Sequence, residues 1–153
     1  MPKKALCWED VKEGDEAPEL VKEKVTRTDI VKYAGASGDF HPMHHDEIFA
    51  YRQGSDRGVF AHGMLSGAYL THLLTDWLGD GSLKKLRLRF ATRVWPGDRL
   101  TCKGTITSKY QENGENRVDC VCHVENQHGE RVTVGAATAV LPAKSSPGQK
   151  ASR

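Results

Sequence analysis

The sequence predicts an α+β fold in which one long helix is followed by an antiparallel meander. Three observations carry this. The segment from Gly63 to Leu78 has apolar residues at helical spacing without interruption by proline. Four later segments alternate apolar and polar residues and are separated by turn signals. The pieces ahead of the long helix are short and bounded by caps and breakers.

Residues up to about Leu20 form a polar lead-in with a turn at Gly14-Asp15, and Val21 to Val25 is a short candidate strand. Thr26 and Thr28 suit a helix N-cap, and Asp29 suits a first turn, where a carboxylate meets the positive end of the dipole. Ile30, Val31, Tyr33 and Ala34 then give a short helix ended by Gly35 to Gly38. A second short helix is expected from His45 or Asp46 through Ile48, Phe49, Ala50 and Tyr51. Gln53 to Gly58 reads as an exposed loop.

The long helix runs from Gly63 to Leu78. Its apolar residues Met64, Leu65, Ala68, Tyr69, Leu70, Leu73, Leu74, Trp77 and Leu78 cover more than one stripe, which predicts burial nearly all round. Gly63, Ser66 and Gly67 are poor helix formers, useful here for their small size. Gly79-Asp80-Gly81 ends the helix. In the meander, Leu86, Leu88 and Phe90 alternate with Lys85, Arg87 and Arg89, a half-buried strand with one basic face. After the Pro96-Gly97-Asp98 turn, inward rows are expected at Leu100, Cys102, Gly104 and Ile106, then at Val118, Cys120, Cys122 and Val124. The last row, Val132, Val134, Ala136 and Thr138, follows the Gln127-His128-Gly129 turn.

A chain of 153 residues is long enough for one domain with a proper core. Its 38% hydrophobic and 27% charged residues place it among ordinary globular proteins rather than disordered ones. A net charge of +2 supplies no bulk field for nucleic acid, so no nucleic-acid partner is expected. The N-terminal run turns acidic at Glu9-Asp10, too soon for the apolar run of a signal peptide, and a cytoplasmic protein is expected. The longest apolar stretch is broken by Ser66, Thr71, His72 and Asp76, so no membrane span is expected. Cys7, Cys102, Cys120 and Cys122 lack CxxC spacing and read as reduced thiols, mostly small buried hydrophobes.

The chemistry concentrates in Gly38-Asp39-Phe40-His41-Pro42-Met43-His44-His45-Asp46. Asp39 and His44 lie five apart, off register for one helix face. Pro42 fixes its own φ and pushes His41 towards extended geometry, so a bend that brings Asp39 and His44 together is expected. A carboxylate and an imidazole converging on one point can move a proton or activate water. The same pair can simply fasten a surface loop. His41, His44, His45 and Asp46 are possible metal ligands, but no second ligand cluster accompanies them and adjacent histidines diverge, so no metal is expected.

The order of motifs resembles the MaoC-like hydratases and dehydratases of the hot-dog superfamily. The matching segments are Tyr33-Ala34-Gly35-Ala36-Ser37-Gly38-Asp39, Pro42-Met43-His44, Phe60-Ala61-His62-Gly63-Met64, and Arg89-Phe90 with Val94 and Pro96-Gly97-Asp98. The resemblance covers about residues 8 to 142. It implies one hot-dog domain over residues 1–142, a curved antiparallel sheet wrapped around the long central helix; the composition of 143–153, rich in Ala, Lys, Ser, Pro and Gly, predicts a disordered tail. The resemblance also implies (R)-specific hydration of trans-2-enoyl thioesters, or the reverse dehydration of (3R)-hydroxyacyl thioesters. Asp39 and His44 would act on the catalytic water, and the Gly63 N–H would bind the thioester carbonyl. The chemistry fits, since helix N-termini carry free N–H groups and a positive dipole end. No cofactor is implied beyond coenzyme A or an acyl-carrier protein bearing the substrate.

His41 stands where the family motif usually has asparagine, and it could support Asp39, alter substrate preference or mark a weakened site. His62, Met64 and Ser66 are further substrate-site candidates. His62 either caps the helix and shapes the pocket or is a structural histidine. Ser66 either lines the site or bonds back to the helix backbone. A homodimer or higher oligomer is expected, with a heterodimer as the variant, because family members close the acyl tunnel with a second protomer. The row Lys84, Lys85, Arg87, Arg89 and Arg93 would meet coenzyme A phosphates or an acidic carrier protein, or be a solvated strand face. Two other functions fit the chain: a non-catalytic subunit of a heteromeric hydratase, and a hot-dog thioesterase.

Overall fold

The computed structural model describes residues 6–144. In chain order the elements are β1 (Leu20–Lys22), α1 (Arg27–Ser37), α2 (Glu47–Arg52), α3 (Gly63–Leu78), β2 (Leu83–Phe90), β3 (Leu100–Glu112), β4 (Glu115–Glu125) and β5 (Arg131–Val140). Single 3₁₀ turns lie at Trp8–Asp10 and Pro42–His44. The strands form one five-stranded antiparallel sheet in the order β1-β3-β4-β5-β2, and α3 packs against all of them. This is the expected α+β hot-dog arrangement. The tail beyond residue 144 lies outside the described residues. Lys144 itself is fastened, with its N–H donating to Glu9 at 2.9 Å and its ammonium beside Asp10.

Helix α1 begins and ends where its caps require. Thr26 Oγ1 accepts the Asp29 N–H at 3.1 Å, and Asp29 Oδ2 accepts the Thr26 N–H at 2.7 Å, a reciprocal box that starts α1. Gly38 closes α1 at φ 76°, a left-handed conformation that suits glycine, and turns the chain into Asp39. The first candidate strand ends earlier than expected, at Lys22. Val25 instead exchanges backbone hydrogen bonds with the Gly97-Asp98 turn, at 2.7 and 2.8 Å.

Helix α3 has the expected limits, but its burial is one-sided in the single chain. Leu65, Gly67, Leu70, Leu73, Leu74 and Leu78 are buried, whereas Met64, Ala68, His72 and Asp76 form an exposed stripe at i,i+4 spacing. Apolar residue count alone hid that stripe. Gly67 and Gly63 let β2 cross the helix start closely: a Cβ there would lie 2.8 Å from Leu88 and 2.9 Å from Phe90.

The inward row of β5 is Thr133, Gly135, Ala137 and Ala139, paired with Val124, Cys122, Cys120 and Val118 of β4. The expected row of Val134, Ala136 and Thr138 faces outward, and only Val132 at the strand end is buried as anticipated. Both faces of this strand are small and weakly polar, so alternation carried no phase. The other inward rows are as read. Cys102, Cys120 and Cys122 are free and buried, and burial pushes the Cys102 and Cys120 thiols up to about 12 and Cys122 to about 11. Among the described residues, no helix is long and apolar enough to cross a membrane.

Candidate active site

The site grows from the C-terminal end of α1. Ser37 Oγ donates to the Tyr33 carbonyl at 2.8 Å and accepts the Asp39 N–H at 3.2 Å. Asp39 Oδ1 accepts the His41 N–H at 3.2 Å, a local turn that orients the carboxylate. Pro42 then opens the 3₁₀ turn, and His41 caps it, its Nδ1 accepting the Met43 N–H at 3.3 Å. The His41 ring packs on Phe49 at 5.7 Å. Its support of Asp39 therefore comes from the main chain and not from the imidazole.

This turn delivers His44 to Asp39. His44 Nδ1 lies 2.7 Å from the Phe60 carbonyl, which can only accept, so Nδ1 carries the proton. Nε2 of the neutral ring is then a bare lone pair, 4.0 Å from Asp39 Oδ2. Burial holds the His44 imidazole below its usual range, against the raising effect of its bond to Phe60; the neighbouring His62 adds to the lowering. Asp39 remains half exposed.

His45 and Asp46 do not join the site. His45 Nε2 donates to the Phe40 carbonyl at 3.0 Å, and Asp46 Oδ1 caps α2 by accepting the Phe49 N–H at 3.0 Å. His62 takes the place the loop histidines leave. It is 2% exposed, it stacks on His44 with centroids 3.8 Å apart, and its Nε2 donates to the Asp39 carbonyl at 2.9 Å. It makes no side-chain cap to α3, contrary to one expectation for it. Among the described residues, Asp39, His44 and His62 are the one convergent set of metal-ligating side chains. The donation by His62 Nε2 leaves that nitrogen no lone pair for an ion, so the set suits proton chemistry better than a cation.

Gly63 lies at the head of α3, beside a cavity of about 330 Å³ whose walls include Phe60, Ala61, Ser66, Phe90, Thr92 and Arg93. Ser66 Oγ donates to the Gly63 carbonyl at 2.7 Å and bonds Thr133 Oγ1 at 2.7 Å, so it shapes the wall with its hydroxyl already engaged. Met64 is half exposed and outside that wall. His44 lines a second hollow of about 160 Å³ with Ile30, Ala34 and Phe40. Phe60 lines the first and packs edge-on to His44, which lines the second, at 5.3 Å. Two contributions were missed in the sequence: the Phe60 carbonyl, which has no side-chain signature, and Thr133, hidden in the misphased strand.

The MaoC like domain family matches residues 11–129 of the chain. An (R)-specific enoyl-CoA hydratase of Rhodospirillum rubrum is 32% identical over 139 residues, 90% of this chain and 92% of that protein. A 3-hydroxybutyryl-CoA dehydratase of Methylorubrum extorquens is 29% identical over 143 residues, covering 92% and 87%. Among solved structures, the unliganded R-hydratase PhaJ1 of Pseudomonas aeruginosa superposes with a TM-score of 0.79 at 29% identity, covering 92% of this chain and 88% of that one. With most of its length matched in this way, the chain belongs to the MaoC-like domain family.

Proposed function

We propose that the protein adds water to trans-2-enoyl thioesters with (R) specificity, or runs the reverse dehydration of (3R)-hydroxyacyl thioesters. The observation that carries the reading is the pair of acceptors, Asp39 Oδ2 and His44 Nε2, held 4.0 Å apart. That distance is too long for a direct hydrogen bond and short enough for one water to touch both. The naming of similar proteins as hydratase and dehydratase supports the same reaction.

In the forward direction the water donates one proton towards His44 Nε2 and the other towards Asp39. Its oxygen attacks C3 as the first proton leaves. Electron density moves to the thioester oxygen, and the N–H of Gly63, the first residue of α3, has no carbonyl one turn earlier in the helix to bond and can meet it. The proton taken from water is then returned to C2. Water addition changes no oxidation state of a cofactor, so the proposal includes none. The carrier is coenzyme A or an acyl-carrier protein. A second copy of the chain completes the acyl tunnel, consistent with the apolar Met64 and Phe90 left half exposed near the cavity.

Purified protein given crotonyl-CoA tests the reading. Loss of enoyl absorbance with (R)-3-hydroxybutyryl-CoA as product is expected. Release of free coenzyme A thiol would instead identify a thioesterase, and no reaction across acyl lengths would identify a non-catalytic subunit.

A further inference from the structure

We infer that His62 is a positioning residue for the hydration, one that registers Asp39 and His44 against each other. The inference rests on the hydratase reading above.

The Asp39 carboxylate is half exposed, and the bond from the His41 N–H reaches it through a turn of only two residues. Its placement therefore depends on its own main chain. The His41 imidazole, which occupies the position nearest in sequence to assist, is turned to the Met43 N–H and to Phe49. The Asp39 carbonyl is held instead by His62 Nε2–H at 2.9 Å, from a residue 23 positions away. The same ring lies face to face with His44 at 3.8 Å and an interplanar angle of 28°, while Tyr33 of α1 flanks it at 5.1 Å.

His62 sits on a stiff base. The Ala61 N–H donates to the Val94 carbonyl at 2.8 Å, and the His62 carbonyl accepts the Leu65 N–H at 3.0 Å as α3 begins. Phe60, two residues earlier, holds the edge of His44. One short segment thus fixes His44 by edge and face, fixes Asp39 by its main chain, and leads directly into Gly63.

One atom separates this role from filling space. His62 Nδ1 is buried without a hydrogen-bond partner. Buried polar groups are ordinarily satisfied, and a phenyl ring would fill the slot without leaving one orphaned. What imidazole adds over phenyl at this position is the Nε2–H to the Asp39 carbonyl.

The test compares His62→Phe with His62→Gln in the full chain. Phenylalanine keeps a ring face against His44 and removes the donor; glutamine restores an N–H at similar reach. His62→Phe is expected to lower kcat at least tenfold with KM within about twofold, and with no loss of melting temperature. His62→Gln is expected to recover kcat to within about fivefold of the native enzyme. The ¹³C shift of the Asp39 carbonyl should move in His62→Phe and return in His62→Gln. Native kcat in His62→Phe, a glutamine variant no better than phenylalanine, or an unmoved Asp39 carbonyl would each overturn the inference. If His62→Phe does not fold, the glutamine variant alone decides, since a loss of kcat beyond fivefold in it counts against the role. An inactive native protein would instead defeat the hydratase reading, and the carbonyl shift distinguishes the two failures.

Discussion

His44 donates its Nδ1 proton to the carbonyl of Phe60 at 2.7 Å, and that single bond decides which nitrogen of the ring faces Asp39. It fixes the tautomer by a main-chain acceptor, so the free lone pair is Nε2 whatever occupies the site.

Asp39→Asn is expected to lower turnover by at least ~10²-fold, the lower range for removal of a general acid–base group. Asparagine keeps an oxygen for the His41 N–H, so the turn survives and melting should change little. His44→Ala should lower turnover at least as far, with some loss of stability because the Phe60 carbonyl loses its donor. Substrate affinity should move less than turnover in both. Steady-state kinetics with crotonyl-CoA check this, and near-native turnover in Asp39→Asn would remove the assigned mechanism.

The pH profile should follow the lowered His44. The base must be neutral, so kcat/KM should rise with pH through the His44 titration, and that acidic limb should lie below the usual histidine range because burial disfavours the imidazolium. Stability has the matching sign. Between the ordinary histidine value and the lowered folded value, the unfolded chain binds more protons, so stability falls as pH falls through that window. An acidic limb at or above the ordinary histidine value would contradict this. Imidazole NMR of His44 against pH measures the shift directly.

Much of the frame was readable because it is written in local chemistry. Thr26 with Asp29 announced α1, Asp46 announced α2, and Gly63 to Leu78 gave α3 its limits. The convergence of Asp39 and His44 followed from Pro42 and the glycine at 38. The phase of β5 was unreadable because Val134 and Ala136 are as apolar as the Ala137 and Ala139 that face the core. The work of His62 was unreadable for a different reason. Its partner is a main-chain carbonyl, which every residue owns, so no side-chain pairing marked the contact. The exposed stripe at Met64 and Ala68 escaped because hydrophobicity does not say which apolar face the sheet will cover.

A double mutant separates the packing role of Gly63 from the oxyanion role proposed for its N–H. A Cβ at this position would lie 2.9 Å from the Phe90 ring, so Gly63→Val is expected to lower both melting temperature and turnover. Adding Phe90→Ala should relieve the clash and restore much of the stability. If the Gly63 N–H meets the thioester, turnover should stay at least tenfold low in the double variant, because the new side chain still guards the donor. Full recovery of turnover with stability would make the glycine a packing residue alone.

The chain is expected to be at least a dimer. Strands β1 and β2 are the two edges of the sheet, and an open edge invites pairing. The half-exposed Met64 and Phe90 add apolar surface near the cavity. Light scattering should give at least twice the chain mass, and Met64→Asp should shift it towards one chain with loss of activity. A monomeric native protein with full activity would show that one chain holds a complete site.

The basic row on β2 is the last feature with a functional and a bland account. Lys84, Lys85, Arg87 and Arg89 are exposed, and the β5 residues opposite Lys85, Arg87 and Arg89 are Thr138, Ala136 and Val134, so the paired strand sets no carboxylate across from them. Arg93 continues the positive charge to the cavity wall, its guanidinium 4.7 Å over the Phe60 ring. Of these cations Arg93 alone lines the cavity, and the exposed row on β2 would attract the phosphates of coenzyme A or the acidic surface of a carrier protein. Such contacts are exposed and screened over about 10 Å at 0.1 M salt. KM should therefore rise with ionic strength, and Arg87→Ala and Arg89→Ala should each raise KM at low salt while flattening that dependence. Turnover should be unchanged, because neither residue approaches Asp39 or His44 in the sheet. Parallel assays with coenzyme A and carrier-protein thioesters identify which carrier the charges serve, the larger salt slope marking it. A KM indifferent to salt and to both substitutions would leave the row as a solvated strand face.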